Sequence, residues 1–333
     1  MTLIADTVYD LILDDVFLRV NGLESLEQLF VKVEGFNAGG SIKMKTARGL
    51  IQAVEHSGAD LANLHVIEST SGNLGISLAT ICAAKKYRLT CVTDPNTNAT
   101  SVAVMRALGA HVVIVDERDD NGGFLGTRLA YIRQRLAADP HLHWLNQYEN
   151  PGNPTAHEQT TAPSVLKSFD RVDHLFLGVG TGGTLMGCVD YFRRRSPHTR
   201  ITAVDTVGSM NFQNVAGIRH VPGLGTSQRP PILDREVPDE VVLVPEWETV
   251  RECRWLARNT GLLAGGSTGT VLAAVRRKAA SIAPGATVVA IAPDLGERYL
   301  ASVYDDDWVV GRGLTEAAST DEQSQIGELD VLV

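Results

Sequence analysis

The segment LFLGVGTGGTLMGCVDYFRRR, residues 175–195, is the most informative stretch of this chain about its fold. Its first residues, 175–179, are apolar or small and predict a short strand buried on both faces. After the glycines, apolar residues recur at helical spacing and predict a helix over 184–195. A glycine turn between a strand and a helix directs several backbone N–H groups and the positive end of the helix dipole at one anion. The segment therefore predicts a strand–turn–helix unit suited to a phosphate.

The same alternation of strand and helix extends along most of the chain. Short apolar strands separated by amphipathic helices are typical of parallel sheets that are covered by helices on both faces. We therefore predict an α/β fold, built from two such units. The predicted strands are 65–68, 89–93, 112–115, 173–179, 200–205, 240–244 and 286–292, and the clearest predicted helices of the second half are 184–195, 248–259 and 268–280.

Three segments interrupt the alternation. Residues 150–154, NPGNP, contain two prolines and a glycine and indicate a seam between the units. Residues 206–238 lack regular periodicity, and an irregular segment of that length in a compact protein is usually functional or a lid. The tail 313–333 is acidic and rich in Ser and Thr, so we expect it to be disordered.

Charge and cysteine usage exclude several classes of protein. The 333 residues include 30 Lys and Arg against 39 Asp and Glu, and a net charge of −9 makes nucleic acid or an anionic membrane a poor partner. No apolar run approaches the roughly 20 residues that cross a bilayer, and acids in residues 1–15 argue against a targeting segment. The four cysteines show no metal-binding spacing, which indicates buried thiols in a reducing compartment. We expect a cytoplasmic protein without a structural metal.

The glycine turn alone does not identify its ligand. Gly178, Gly180 and Gly183 satisfy the dinucleotide pattern GxGxxG, and Asp205 follows at the end of the next predicted strand. A nicotinamide cofactor, another phosphate or a tight turn without a ligand explains this segment equally well.

Two further loops carry side chains suited to catalysis. In EGFNAGGSIK, residues 34–43, Lys43 follows a Gly-Gly-Ser turn at the start of an apolar helix, where partial desolvation would lower its pKa and favour bonding to a carbonyl carbon. Lys45 competes for that role, and a solvated surface lysine is the simpler interpretation of either. In ESTSGNLG, residues 68–75, hydroxyl and amide groups at a helix N-terminus could bind a carboxylate, although helix capping explains them as well.

Taken together, VEGFNAGGSIK, ESTSGNLG and GVGTGGT resemble the fold-type II pyridoxal 5′-phosphate enzymes of the cysteine synthase and cystathionine β-synthase family. The resemblance covers about residues 10–310. It implies two three-layer α/β domains with mostly parallel sheets, similar to the tryptophan synthase β subunit. It also implies a smaller mobile domain at 46–148, a larger cofactor domain formed by 1–45 and 149–312, and a homodimer.

The resemblance assigns roles in cofactor binding to the matching residues. Lys43 would bond covalently to the cofactor and act as the catalytic base, Asn73 would bond the phenolic oxygen, and Asp294 would face the pyridine nitrogen. Many relatives have a serine at the position of Asp294. The glycine turn would bind the phosphate and the GGSTG segment would line the cofactor, which gives Gly180, Thr181, Gly182, Gly183, Thr184 and Gly265 as further cofactor residues.

Several stretches, among them LTCVTDP, NGGFLGTRLA, AVDTVGSM and VPGLGTS, resemble the branch of the family that begins 2,3-diaminopropionate synthesis for siderophores and antibiotics. That branch implies a β-replacement in which the amine of L-glutamate displaces the phosphate of O-phospho-L-serine. The substrate-binding residues that the resemblance implies are Thr70, Ser71, Gly72, Asn73 and Gln147. A leaving phosphate needs cationic or hydroxyl anchors, and the candidates are Ser227, Arg229, Arg219, Thr127 and Arg128.

Three alternatives to this function stay open at the level of the sequence. A cysteine or cystathionine synthase would share the first half-reaction and use a thiol as the second nucleophile. A nicotinamide oxidoreductase would use the GxGxxG pattern, and a silent binding protein would keep the fold without the chemistry. The chain also has Met44 and Lys45 where cysteine synthases have an acid and an arginine, which puts the local salt bridges in doubt.

Overall fold

The computed structural model describes residues 4–70, 72–120 and 122–316, and the described chain contains two β-sheets. The larger sheet has the order β1-β2-β10-β7-β8-β9. All of its neighbouring strands are parallel except β1 and β2, which form an antiparallel pair at one edge. Its strands are β1 (Phe17–Val20), β2 (Leu29–Val33), β7 (His174–Gly178), β8 (Arg200–Thr206), β9 (Glu240–Val244) and β10 (Val288–Ala292).

The smaller sheet has the order β5-β4-β3-β6, and all of its strands are parallel. Its strands are β3 (His65–Ser69), β4 (Arg88–Thr93), β5 (His111–Ile114) and β6 (Leu142–Trp144). They lie inside the range 46–148 that the sequence predicts for the smaller domain. The domain boundaries and the mobility of this unit stay predictions.

Helices cover both faces of each sheet. The helices are α1 (Lys43–Glu55), α2 (Asn73–Lys85), α3 (Ala99–Ala107), α4 (Leu125–Ala138), α5 (Gly152–Gln159), α6 (Thr161–Ser168), α7 (Gly183–Arg195), α8 (Glu246–Thr260), α9 (Gly266–Lys278) and α10 (Asp306–Gly311). In the larger unit, α8 and α9 share one apolar core with the sheet and α6 and α7 share another. In the smaller unit, α1, α2 and α3 pack on one face and α4 on the other. The α/β prediction with mostly parallel sheets is confirmed.

The sequence did not predict the antiparallel pair β1–β2. A lysine, Lys32, interrupts the apolar pattern of β2, yet its side chain is completely buried. Its amine lies 2.7 Å from the carboxylate of Glu34, which supplies the charge that the interior lacks. The ion pair therefore allows a charged residue to occupy a buried position of this strand.

The irregular segment between β8 and β9 is held by side-chain hydrogen bonds. Arg235 donates to the backbone carbonyls of Met210 and Gln213, each at 2.7 Å. The predicted disordered tail lies mostly outside the described residues, which end at 316. Within the described ranges, no helix is both long and apolar enough to cross a membrane, and no group of three potential ligands could hold a metal ion.

Candidate functional site

The loops that carry the predicted residues follow the carboxyl ends of parallel strands. The lysine loop follows β2, the glycine turn follows β7, and residues 293–299 follow β10, which lies between those two strands. A backbone bridge pairs Ser41 with Asp294, and the N–H of Ile42 donates to the carbonyl of Pro293 at 2.7 Å. The loop after β3 joins them through Asn73, described below. Ligands of open α/β sheets bind at this edge.

Lys43 is the first residue of α1, and its backbone N–H donates to the hydroxyl of Ser41 at 3.3 Å. Burial lowers the pKa of its amine from 10.5 to about 8, and the carboxyl of Glu68 partly opposes that shift. A substantial fraction of this amine is therefore neutral near pH 8, which suits a nucleophile or a base.

Lys45, the competing lysine, forms ion pairs and a hydrogen bond with protein side chains. Its amine forms an ion pair with Glu34 at 2.8 Å, forms a second ion pair with Asp14, and donates to the hydroxyl of Thr161 at 3.2 Å. These bonds replace the salt bridges that the unusual Met44-Lys45 pair had put in doubt. Lys43 is thus the lysine that is available for chemistry.

The loop after β3 leads into α2, and the Thr70 hydroxyl bonds the first N–H groups there. The hydroxyl of Thr70 accepts hydrogen bonds from the N–H groups of Gly75 at 2.9 Å and Gly72 at 3.4 Å. Ser71 lies outside the described residues. The N-cap residue of α2 is Gly72, which has no side chain for capping, so the Thr70 hydroxyl bonds the first turn from two residues before the N-cap.

The amide of Asn73 joins the two units. Its Nδ2 donates to Oδ2 of Asp294 at 2.8 Å, and its Oδ1 accepts from the guanidinium of Arg298. Gln147 lies below the same loop, where its Nε2 donates to the carbonyl of Ser69 at 2.8 Å. Asn73 is thus held at the start of α2 by two groups that follow β10.

The glycine turn presents free N–H groups at the N-terminus of α7. Within the described residues, the N–H groups of 180–185 bond to no protein acceptor, because the first bond of the helix runs from Met186 to the carbonyl of Gly182. Gly182 has a φ of 91°, a conformation that favours glycine and turns the chain into the helix. Consecutive free N–H groups at a helix N-terminus fit a phosphate.

Two neighbouring side chains hold the hydroxyls of this turn. Asn153 Nδ2 donates to the hydroxyl of Thr181 at 3.0 Å, and the hydroxyl of Thr184 lies 3.3 Å from Nε2 of His157. The same ring atom lies 3.0 Å from the hydroxyl of Thr46 in α1, so one buried histidine links the turn to the lysine helix. Burial lowers the pKa of His157 well below its usual value, so the ring is neutral. No role for His157 could be predicted from the sequence, because its partners Thr46 and Thr184 lie in other elements.

Asp294 is buried beside this site. Its carboxylate accepts hydrogen bonds from the hydroxyl of Tyr299 at 2.7 Å, from Asn73 at 2.8 Å and from Ser267 at 3.4 Å. Burial raises its pKa above the usual value of an aspartate. Gly265 packs against this carboxylate so closely that a Cβ at that position would overlap Oδ1. A cofactor bonded by both Asn73 and Asp294 would have to replace the contact between them.

Glu68, the first residue of ESTSGNLG, is a buried acid for which no role was predicted from the sequence. Its side chain is completely buried at the end of β3, and burial raises its pKa to about 8. Backbone N–H groups of Ser69, Gln147 and Asn146 oppose part of that shift. The sequence signal that could have identified Glu68 is an acidic residue within the mostly buried strand HVIES, residues 65–69.

The candidate phosphate anchors differ in their surroundings. Arg128 is buried in α4, and its ion pair with Asp94 is 3.4 Å long. Its Nε and Nη1 have no hydrogen-bond partner within the described residues. Arg219 donates to the carbonyl of Leu224 at 3.1 Å. Nε of Arg219 also lacks a partner within the described residues, so both arginines keep unused donors, two on Arg128 and one on Arg219.

The two candidates of the irregular segment differ in solvent exposure: Ser227 is half-buried and Arg229 is exposed. Ser227 faces Gly123, whose Cβ, if present, would lie 3.3 Å from the serine hydroxyl. Arg229 is exposed, and its guanidinium lies 3.5 Å from the side-chain oxygen of Asn214 on the same segment.

Asp205 does not fit a nicotinamide site. Its side chain is completely buried, and burial raises its pKa to about 6. An acid that binds a ribose must reach the ligand, which this one does not. The dinucleotide interpretation of the glycine pattern is therefore unsupported.

Comparisons with known proteins identify relatives along most of the chain. A family model described as pyridoxal-phosphate dependent enzyme matches residues 16–294. The chain is 41% identical to N-(2-amino-2-carboxyethyl)-L-glutamate synthase of Ralstonia nicotianae, over 85% of this chain and 84% of the relative.

Solved structures have the same fold. O-ureido-L-serine synthase superposes with a TM-score of 0.83 at 30% identity, over 91% of this chain and 96% of that one. The O-acetylserine dependent cystathionine β-synthase of Helicobacter pylori gives 0.83 at 27% identity, over 90% and 99% of the two chains. A hydrogen sulfide-producing enzyme of Fusobacterium nucleatum gives 0.84 at 29% identity, over 89% and 100%.

Proposed function

This chain belongs to the pyridoxal-phosphate dependent enzyme family, and on that premise we propose that it is an N-(2-amino-2-carboxyethyl)-L-glutamate synthase. In the proposed reaction the C–O bond from Cβ of O-phospho-L-serine to its phosphate breaks, and a C–N bond from Cβ to the amine of L-glutamate forms. The products are N-(2-amino-2-carboxyethyl)-L-glutamate and phosphate. The observation that carries this proposal is the similarity to the Ralstonia synthase over most of both chains.

The free N–H groups of the glycine turn support the placement of the cofactor phosphate there. We assign Gly180, Thr181, Gly182, Gly183 and Thr184 to the phosphate, Asn73 and Asp294 to the ring, and Gly265 to its lining. When bound, pyridoxal phosphate supplies a ring that accepts electron density from the substrate Cα.

Lys43 moves the proton at Cα in this proposal. A pKa of about 8 lies close to physiological pH, where a lysine can both accept a proton and return it. The neighbouring carboxyl of Glu68 has a pKa of about 8 as well, so the two groups exchange protons with water in the same pH range.

The N-terminus of α2 receives the substrate carboxylate. Thr70, Gly72 and Asn73 lie at the positive end of the α2 dipole, where an anion is stabilised. Gln147 supports this loop from below through its bond to the carbonyl of Ser69.

Arg128 supports phosphate as the leaving group. A phosphate that departs from Cβ develops negative charge, which a buried guanidinium with unused N–H donors stabilises. Ser227 and Arg229 of the irregular segment are further candidates. A neutral or weakly charged leaving group would not require a cation there.

A thiol acceptor is the second candidate function. Two similar solved structures, the Helicobacter pylori cystathionine β-synthase and the Fusobacterium nucleatum hydrogen sulfide-producing enzyme, carry names that indicate sulfur chemistry. The glutamate-accepting and the thiol-accepting function would share the first half-reaction proposed here, so the acceptor distinguishes them.

The test offers purified protein one donor and one acceptor at a time. With O-phospho-L-serine and L-glutamate we expect release of phosphate and a product of the mass of N-(2-amino-2-carboxyethyl)-L-glutamate. With sulfide or homocysteine in place of glutamate we expect little product. The reverse preference would move the protein to the thiol branch, and a Lys43→Ala variant that keeps full turnover would overturn both functions.

We further propose that the enzyme works in the cytoplasm as a homodimer. Its four cysteines are buried and unpaired, which suits a reducing compartment. Light scattering during gel filtration measures the mass, and a monomer of 35.9 kDa would contradict the dimer.

A further inference from the structure

The irregular segment 206–238 is hydrogen-bonded to the start of the glycine turn through the buried side-chain amide of Asn211. Nδ2 of Asn211 donates to the carbonyl of Val179 at 2.9 Å and to the carbonyl of Gly180 at 3.0 Å. The side chain of Asn211 is completely buried. A third bond, from the N–H of Gly225 to the carbonyl of Val179 at 2.9 Å, holds the same point from the same segment.

These bonds fix the direction of two N–H groups that face the anion site. A trans peptide is planar, and its N–H points away from its C=O. The carbonyls of Val179 and Gly180 belong to the peptides that carry the N–H groups of Gly180 and Thr181. When one amide draws both carbonyls to its side, both N–H groups turn to the other side, where they bond to no protein acceptor in the described chain.

A hydroxyl fixes which end of the Asn211 amide faces the carbonyls. The hydroxyl of Thr226 donates to Oδ1 of Asn211 at 2.7 Å. An amide with its oxygen so bonded presents its NH₂ group to Val179 and Gly180. Thr226 itself is anchored, because its N–H donates to the hydroxyl of Ser209 at 3.2 Å and its carbonyl accepts from the N–H of Met210 at 2.9 Å.

We propose that Asn211 is a positioning residue that holds the N–H groups of Gly180 and Thr181 toward the phosphate of the cofactor. This inference rests on the cofactor placement of the proposed function and adds a role for the irregular segment. The segment serves as a brace for the phosphate-binding turn, and Thr226 sets the orientation of the brace.

The test compares two ligands that differ only in the phosphate. Pyridoxal phosphate and pyridoxal share the ring and the aldehyde, so the ratio of their dissociation constants isolates the phosphate contribution. Both are titrated into apoprotein of the full chain, followed by visible absorbance, for wild type, Asn211→Ala, Thr226→Val and the control Gln213→Ala. Gln213 donates to the carbonyls of Thr206 and Ser209 in the same segment and does not touch the glycine turn.

We expect Asn211→Ala to weaken pyridoxal phosphate binding roughly tenfold or more, the value of one charge-assisted hydrogen bond, with little change for pyridoxal. Thr226→Val should show a smaller loss with the same selectivity, and Gln213→Ala should keep the wild-type ratio. An unchanged ratio in both Asn211→Ala and Thr226→Val would overturn the inference, as would an equal loss for both ligands. If wild type binds neither ligand, the cofactor assignment itself fails, which is a different outcome.

Discussion

At the scale of single residues, the site depends on groups whose protonation burial has changed. Lys43 and Glu68 both have a pKa of about 8, one lowered and one raised by the loss of hydration. Each of these pKa values is close enough to physiological pH for both protonation states to be populated, whereas an exposed lysine or glutamate is almost fully ionised there.

The lowered pKa of Lys43 has a measurable consequence. We expect its amine to react with trace acetic anhydride in the apoprotein with a midpoint near pH 8, because only the neutral amine is nucleophilic. Peptide mass spectrometry across pH 6–11 measures the reaction at each lysine, with the exposed Lys86 as a reference for reagent reactivity. A midpoint near the ordinary value of 10.5 would contradict the burial of this amine.

The raised pKa of Glu68 links stability to pH. In the window between pH 4.5 and about 8 the unfolded chain has released this proton and the folded chain has kept it, so rising pH favours unfolding. Glu68→Gln removes that proton exchange. We expect the variant to gain stability relative to wild type as pH rises through this window, with a slope of at most about 1.4 kcal/mol per pH unit.

Urea unfolding at several pH values measures this difference. The control is Glu27→Gln at an exposed position, for which the difference should not follow the same course. A pH-independent difference for Glu68→Gln would show that the carboxyl is ionised in the folded protein at neutral pH.

At the scale of elements, a buried ion cluster joins the lysine helix to the edge of the larger sheet. Glu34 after β2 lies 2.7 Å from Lys32 of the same strand and 2.8 Å from Lys45 of α1. Two lysines around one buried carboxylate, with Asp14 beside them, fix the helix that begins with Lys43. Breaking a buried pair costs more than the pair contributes, because the remaining charge loses its partner.

We expect Lys45→Met to lower the free energy of unfolding by about 3 kcal/mol. Methionine fills a similar volume, so lost charge pairing at Glu34 and Asp14 dominates the effect. Urea unfolding followed by circular dichroism measures it. Lys167→Met, at an exposed pair with Asp15, is the matched control and should change stability little. Equal effects at the two positions would argue against a buried ion cluster at Lys45.

Much of this element-level structure could be predicted from the sequence, but the cluster could not. The strand 240–244 was predicted with the bounds that the structure has, because its apolar residues are adjacent in the chain. Lys45 and Thr161, by contrast, lie 116 residues apart in the sequence. No local pattern links such partners.

At the scale of the whole molecule, Arg298 joins the larger unit to two helices of the smaller one. Its guanidinium donates to the side chain of Asn73 in α2 and to the carbonyl of Gly39 at 3.2 Å. Its own carbonyl accepts from the amide of Asn98, the residue before α3, at 3.0 Å. These contacts hold the start of α2 over the lysine loop.

Arg298→Ala should loosen this junction. We expect faster hydrogen exchange at the first N–H groups of α2 and a higher KM for the amino-acid donor, since the carboxylate-binding loop would be held less firmly. Asn98→Ala leaves the guanidinium contacts of Arg298 in place and is the comparison; it removes the contact to the carbonyl of residue 298 and the hydrogen bond that Oδ1 accepts from the N–H of Thr100 at the start of α3. Unchanged exchange at residues 72–76 in Arg298→Ala would show that the loop does not depend on this arginine.

The α/β class and the loops that carry Lys43, Asn73 and the glycine turn could be recognised from the sequence alone. Strand and helix periods are local, and a parallel sheet brings its carboxyl ends together wherever the loops occur in the chain. The tertiary structure alone decided that Lys45 is an ion-pair residue, that Asn73 meets Asp294, and that Asn211 braces the glycine turn. Each of these depends on partners from distant elements, which only the packing of the sheets and helices brings within hydrogen-bonding distance.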